Sequence, residues 1–314
     1  MRIAVTGVSG FIGHALCRRL ETAGHKVVEF SRSSERPGDV FFDESVDESV
    51  LTSALQGIDA VVHLAGVAHQ EIDGNEAARQ RYLVVNVELS KKLMSAAITA
   101  NVSKFVYLSS AKAVGERSPI DSTGKPMAVS VDTKAEPEDI YGLSKKMAEQ
   151  QLLECAIETD IDLVILRPPL VYGVGQKGNM ARLFALVSKK LPLPLGGVTN
   201  SRSLISVDNL THAIETVLTA ERCANSIYFL ADTVVSTSRL INLIGDALGV
   251  KVKLFSCPPL VLELFAKVSG HYPGYQKIAG SFIVDDKPFR RDFSWEPTVP
   301  IESVLSDIAV SLSD

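Results

Sequence analysis

Through its first 170 residues the chain alternates short apolar runs with amphipathic stretches, and that rhythm leaves few folds open. The runs fall at 2–6, 26–30, 59–64, 104–109 and 162–167; helical periodicity fills 11–23, 50–56, 79–100 and 141–158. Strands that are apolar on both faces must be covered on both faces, which predicts a parallel sheet with helices on either side. The crossovers of such a sheet are right-handed. After about residue 170 the rhythm changes: Gly, Pro and Asn scatter through 173–200, and further helices are expected at 206–219 and 238–248. The expected architecture is α/β, a doubly wound parallel sheet over 1–170 with a smaller α/β C-terminal lobe over 171–314. The boundary is blurred, because segments of such a lobe return to the main sheet.

With 314 residues, the chain suits one large unit plus an appendage. A net charge of −5 carries no footprint for nucleic acid or for an anionic membrane across the whole chain. No apolar run reaches the roughly 18 residues of a membrane span, so none is expected. The longest candidate, 259–266, is short and interrupted by Glu263; it reads as a core or lid helix, with peripheral membrane contact the minor alternative. Cys17, Cys155, Cys223 and Cys257 show no CxxC or CxxH spacing, and the six histidines are dispersed, so no metal site is expected. Such cysteines suit a reducing compartment, and the opening strand at residue 2 follows no signal peptide; the expected location is the cytoplasm.

The first strand runs into Thr6-Gly-Val-Ser-Gly-Phe-Ile-Gly13. Three glycines between a strand and an amphipathic helix make a diphosphate cradle: one for the tight turn, one for close backbone approach, one for helix–strand packing. The helix N-terminus adds unpaired amides and partial positive charge. A Rossmann-type unit binding a nicotinamide dinucleotide follows, with Gly7, Ser9, Gly10, Phe11, Ile12 and Gly13 as expected contacts. The end of the second strand, Glu29-Phe-Ser-Arg-Ser33, sets the choice of dinucleotide. Ser31 and Arg32 stand where a 2′-phosphate would lie, which favours NADP over NAD; Arg32 as a plain solvated charge is the other reading.

Tyr141 and Lys145 lie four residues apart on one helical face. A phenol with an unperturbed pKa near 10 is a poor base, and a neighbouring ammonium favours the phenolate. Ser109-Ser110 ends the preceding strand, at the carboxyl edge where ligands bind in open α/β sheets. One of these two serines, Tyr141 and Lys145 therefore form a set for general acid–base catalysis beside a nicotinamide. His63, ending an apolar strand, reads as a satisfied core histidine.

Taken together these motifs resemble the extended short-chain dehydrogenase/reductase family, in its NAD(P)-dependent nucleotide-sugar epimerase/dehydratase branch. The resemblance also covers Asp59-Ala-Val-Val-His-Leu-Ala-Gly66, Asn86-Val-Glu-Leu89, Arg167-Pro-Pro-Leu-Val-Tyr-Gly173 and Arg202-Ser-Leu-Ile-Ser-Val-Asp208. It implies that Asp43 touches the adenine, and that Leu64, Ala65, Gly66 and Pro168 line the cofactor. It implies that Asn86 supports the active-site strand, unless it is simply a buried structural amide. Ser110 rather than Ser109 would orient substrate, and Asn179 and Arg202 would meet its diphosphate; a guanidinium suits phosphate through paired donors. For Arg202 a surface ion pair is the competing role.

Departures narrow the activity. Sugar 4,6-dehydratases of the family follow the Ser/Thr with Asp-Glu; here Ala111-Lys112 follows Ser110, which disfavours dehydration. A lysine typical of UDP-galactose epimerases is replaced by Ala68, followed by His69, and a second phosphate-binding arginine has no clean match among Lys277, Arg290 and Arg291. Ser110-Ala-Lys-Ala-Val-Gly-Glu116 is similar to a surface-polysaccharide subgroup of 4-epimerases and 4-ketoreductases. The implied activity is oxidoreduction at C4 of a UDP-linked sugar, with either outcome open. Helices 79–100 and 141–158 would form a homodimer interface. A non-enzymatic dinucleotide-binding sensor or assembly protein of the same fold is the alternative from another class; such relatives lose the Tyr or the Lys, and both are present here.

Overall fold

The computed structural model describes residues 1–32, 39–68, 76–176, 178–221, 225–268, 270 and 272–312. The main sheet uses β1 (Arg2–Thr6), β2 (Lys26–Ser31), β3 (Val40–Phe41), β4 (Ala60–His63), β5 (Lys104–Leu108), β6 (Asp162–Arg167) and, from the C-terminal half, β9 (Ser226–Phe229). Their order is β3-β2-β1-β4-β5-β6-β9, and all pairings are parallel. β4, β5 and β6 are buried at every position, as strands covered on both faces must be. The order reverses between β1 and β4, and the carboxyl ends on either side of that point hold the candidate site.

One face is covered by α2 (Glu48–Ala54), α3 (Glu76–Leu83), α4 (Leu89–Thr99) and α5 (Ile140–Ala156). The other is covered by α1 (Phe11–Thr22), α7 (Val207–Thr219) and α11 (Lys287–Phe293), around Leu16, Leu20, Ile214, Phe289 and Trp295. α7, α11 and β9 come from beyond residue 170, so the two parts of the chain interleave. The stretch expected as one helix over 79–100 is broken by a π turn, Val84–Glu88, between α3 and α4. Such bulges re-aim a side chain; this one aims Asn86.

The C-terminal lobe has a small sheet of β7 (Leu170–Tyr172), β8 (Arg202–Ser206) and β10 (Thr233–Val235), in the order β10-β8-β7. Around it pack α6 (Asn179–Ser188), α8 (Thr237–Ala247) and α12 (Ile301–Ser311), over a separate apolar core containing Phe184, Ile241 and Leu305. α9 (Pro259–Val268) and α10 (Tyr272–Ala279) follow α8 in the chain. The sequence rhythm gave no warning of β3, β7 or β10, which are two or three residues long and too short to show a period.

Candidate active site

The glycine turn after β1 has little freedom. Gly7 has φ of 72°, and a β-carbon there would lie 2.8 Å from the Ala65 nitrogen. At Gly13 a β-carbon would lie 2.2 Å from the Gly7 oxygen, so α1 and β1 pack with no room for any side chain. The Gly7 carbonyl accepts from Gly10 N at 3.0 Å, closing the turn, while Ser9 and Gly10 face outward. Phe11 and Ile12 are half-buried, and α1 has no acid in its first turn. Its electropositive end thus remains available to an anion, and the cradle fits a dinucleotide diphosphate.

Beside the cradle, Thr6 Oγ1 accepts from Leu64 N at 3.1 Å and Ala65 N at 3.0 Å, fixing the backbone of Leu64, Ala65 and Gly66 against β1. With both amides donating to it, the Thr6 hydroxyl donates its own proton to His63 Nδ1, 2.7 Å away. His63 Nε2 then donates to Ser90 Oγ at 2.8 Å, and Ser90 donates to the Asn86 carbonyl. His63 is fully buried; burial, helped by the charge of Lys145, lowers its pKa to about 3, so it is neutral. It is a core histidine whose two nitrogens are both satisfied.

Asn86 is a clamp. Its Oδ1 accepts from Val67 N at 2.7 Å, and its Nδ2 donates to Val67 O at 3.1 Å and Ser144 Oγ at 2.9 Å. Ser144 in turn donates to the Tyr141 carbonyl. Gly66 sits under this clamp: a β-carbon there would meet Asn86 Oδ1 at 3.1 Å and Lys145 Nζ at 3.4 Å. The turn after β4 and the helix bearing Tyr141 are therefore joined through one buried amide.

Asp139 caps α5 by accepting from Gly142 N at 2.7 Å. Lys112 Nζ donates to Asp139 Oδ2 at 2.7 Å and to Glu116 Oε1 at 2.6 Å, tying the cap to the turn after β5. The Lys112 carbonyl also lies where a β-carbon on Gly142 would be, at 2.4 Å, so only glycine lets α5 approach this closely. That approach brings Tyr141 beside the Ser110 turn, where the Ser110 hydroxyl accepts from Lys112 N at 3.2 Å and acts to lower the phenol's pKa. Burial pushes the phenol up to about 12, against the opposing pull of Ser110 and the Lys112 charge. Tyr82 packs edge-on against the Tyr141 ring at 6.4 Å between centroids.

Lys145 is 4% exposed. Its Nζ donates to the Leu108 carbonyl at 2.9 Å and to Tyr107 Oη at 3.2 Å. Burial lowers its pKa to about 8, while Glu149 works the other way. Glu149 is a residue the sequence reading passed over. It accepts from Ser109 Oγ at 2.5 Å and from Arg167 in a bidentate pair, Nε at 2.9 Å and Nη2 at 2.6 Å. Ser109 is thus turned away from Tyr141 and onto Glu149. The signal was present as a third ionisable residue on that face, four positions beyond Lys145. Pro168, buried after β6, accepts from Ala111 N at 2.9 Å and so holds the Ser110 turn from the other side.

The remaining candidates lie around this centre. Ser31 ends β2, where its carbonyl accepts from Phe42 N, and Arg32 follows it, exposed. Asp43 Oδ1 accepts from Ser45 N at 2.8 Å and Ser45 Oγ at 2.6 Å, and the Ser45 hydroxyl lowers its pKa. Asn179 opens α6 and is exposed. Arg202 opens β8; its Nη1 donates to the Gly280 carbonyl at 3.0 Å. Burial lowers the Arg202 pKa and the charge of Glu116 opposes it, placing this guanidinium within electrostatic reach of the Lys112–Glu116 pair. Arg290 is committed to Asp286, Glu296 and the Ala231 carbonyl, and Arg291 pairs with Asp292 on the surface. His69, His271, Cys223 and the side chain of Lys277 lie outside the described residues. Among the described residues no helix is long and apolar enough to cross a membrane.

The strand order, the glycine cradle at the β1–α1 turn and the Ser110–Tyr141–Lys145 grouping define an enzyme of the extended short-chain dehydrogenase/reductase class. The model of the NAD-dependent epimerase/dehydratase family matches residues 3–254, and the chain belongs to that family. It is 32% identical over 313 residues to the UDP-glucose 4-epimerase of Vibrio cholerae, covering 98% of this chain and 94% of that one. It is 27% identical over 337 residues to the 2-alkyl-3-oxoalkanoate reductase of Stenotrophomonas maltophilia (strain K279a), covering 99% of each. Its fold matches the UDP-glucuronic acid 4-epimerase of Bacillus cereus in complex with NAD, with a TM-score of 0.76, 22% identity, and coverage of 100% of this chain and 99% of that one.

Proposed function

We propose that the chain carries out NAD(P)-dependent oxidoreduction at C4 of a nucleotide-activated, UDP-linked sugar, as a 4-epimerase or a 4-ketoreductase in the synthesis of surface-polysaccharide precursors. The observation that carries this reading is the meeting of Ser110 and Tyr141 at the carboxyl edge of β5, with Lys145 on the same helical face. The likeness to a UDP-glucose 4-epimerase along nearly the full chain supports the substrate class.

A nicotinamide dinucleotide would, when bound, supply or accept the hydride. Gly7, Ser9, Gly10, Phe11, Ile12 and Gly13 hold its diphosphate, with Leu64, Ala65, Gly66, Asn86 and Pro168 along one side and Asp43 toward the adenine. Ser31 and Arg32 suit a 2′-phosphate, which favours NADP. Ser110 orients the sugar C4 oxygen, and Tyr141 gives it a proton or takes one from it. Lys145, whose ammonium already lies within hydrogen-bond range of two oxygens, holds the ribose hydroxyls and favours ionised Tyr141. Asn179 and Arg202 receive the sugar's diphosphate. Lys112, tied to Glu116 and Asp139, cannot serve as the carboxylate base of a dehydratase. The working unit is a homodimer joined through residues 79–100 and 141–158, in the cytoplasm.

Tyr141→Phe removes only the acid–base group, so turnover is lost and cofactor affinity is retained; unchanged turnover refutes the assignment. Denaturing the purified protein and identifying the released nucleotide separates the two outcomes. Tightly held NAD supports epimerisation, whereas an empty site that takes up NADPH supports ketone reduction. Reduction of a 2-alkyl-3-oxoalkanoate with no response to any UDP-sugar would overturn the substrate class.

A further inference from the structure

The chain as a whole carries −5, but residues 247–284 carry four lysines against a single carboxylate, Glu263. Two elements in this stretch display both apolar and basic side chains outward. Along 251–255 the side chains alternate: Val252 and Leu254 pack onto the core of the lobe, while Lys251, Lys253 and Phe255 face out, Phe255 at 50% exposure. On α9, Val261, Leu264 and Val268 are 54%, 64% and 81% exposed. At a helical 100° per residue these three fall within about 60° of one another, a single stripe. Lys267 flanks it, exposed and paired with Glu263. An outward apolar stripe bordered by lysines is the pattern of a helix that lies in the plane of a membrane interface, where apolar side chains enter the acyl boundary and ammonium groups meet anionic headgroups.

α9 leads into α10, and α10 is fastened beside the candidate site. Tyr272 of α10 donates to Glu263 of α9. Gln276 of α10 accepts from Arg117 Nη2 at 3.2 Å, and Arg117 directly follows Glu116, the partner of Lys112. Gly280, just beyond α10, accepts from Arg202. We propose that the α9 stripe, with Lys251, Lys253 and Phe255, docks the protein on an anionic lipid bilayer and so turns the Arg202 side of the site toward the headgroups. The occupant is a membrane surface because the apolar stripe and the lysines occur together: an acyl boundary takes the stripe while phosphatidylglycerol-type headgroups meet the ammonium groups.

The test is flotation of the full chain with vesicles of phosphatidylcholine alone and of phosphatidylcholine mixed with phosphatidylglycerol. The readout requires no turnover, so it stands or falls separately from the proposed reaction. Binding is expected to the mixed vesicles, to weaken with salt, and to drop at least about tenfold in Leu264→Glu/Val268→Glu and in Lys251→Glu/Lys253→Glu. Both pairs are exposed, and unchanged melting temperatures verify that the variants are folded. If Leu264→Glu/Val268→Glu fails to fold, the lysine pair decides alone. Absence of binding to the mixed vesicles, or equal binding by the folded variants, overturns the proposal. So does a change from dimer to monomer in Leu264→Glu/Val268→Glu by light scattering, which would make the stripe a seat for a second copy.

Discussion

Glu149 lies behind the reacting groups, and its removal tests how the site is held. It and Arg167 have side chains only 3% and 8% exposed, joined by two hydrogen bonds. Replacing Glu149 with Leu leaves the Arg167 charge buried without compensation, which costs about 3–5 kcal/mol. It also takes from Ser109 the acceptor of its hydroxyl, about 1–3 kcal/mol more. Set against a total stability of about 5–15 kcal/mol, that is a large fraction. Arg167→Met alone should cost a similar amount by stranding the carboxylate. The double variant Glu149→Leu/Arg167→Met removes both charges, so it should cost far less than the sum of the two, leaving a coupling of at least about 2 kcal/mol. Urea denaturation of the four proteins measures this directly. Additive losses, or a Glu149→Leu variant within about 0.5 kcal/mol of the parent, refute the claim that the pair acts as one buried unit.

Four further outcomes are expected. Gly142→Ala puts a β-carbon 2.4 Å from the Lys112 carbonyl, so it should destabilise by about 1–3 kcal/mol and lower kcat more than it raises KM, since α5 must retreat from Ser110. Melting curves and steady-state rates check it. The Lys145 pKa is depressed to about 8, so its ammonium is kept below that pH and lost above it; cofactor affinity of the Tyr141→Phe variant should fall as pH rises through about 8, and a flat titration to pH 10 rejects the assignment. The same depression makes folding stability rise with pH between about 8 and 10.5, where the unfolded chain holds a proton that the folded chain has released. Arg32→Ala should raise KM for NADPH more than for NADH; equal changes remove the argument for a 2′-phosphate.

Five of the seven main-sheet strands were legible because each announces itself as an apolar run, whereas β3 and β9 were not; the spacing of Gly7, Gly10 and Gly13 fixes where the first crossover begins. Tyr141 and Lys145 were legible as a pair because helical spacing places them on one face. What the pattern hid was everything set by contact across the sequence. The π turn at 84–88 has an ordinary helical composition; its reason is Asn86, which must face Val67 and Ser144 at once. Gly142 looks like a poor choice inside a helix until the Lys112 carbonyl, thirty residues earlier in the chain, is found pressed against it. Likewise no local rule says which of Ser109 and Ser110 turns toward Tyr141. Their partners, the Glu149 carboxylate for Ser109 and the Lys112 amide for Ser110, decide it.

Those contacts share a design. Tyr141, Lys145 and Glu149 follow one another at four-residue intervals down α5, and each meets the end of β5 at a different atom: the Ser110 hydroxyl, the Leu108 carbonyl and the Ser109 hydroxyl. The helix is secured against other parts of the protein at the same three levels, by Lys112 on Asp139 at its cap, Asn86 on Ser144 one turn in, and Arg167 on Glu149 beyond. Burial, in turn, pushes the phenol up and the amine down, so both resting groups are driven toward their neutral forms. A site so arranged spends little on reorganising its backbone when a charge arrives, because the helix cannot shift relative to β5 without breaking one of the three ties. Loosening any tie should therefore appear first in the rate of proton transfer at Tyr141, before binding at the distant cradle is affected.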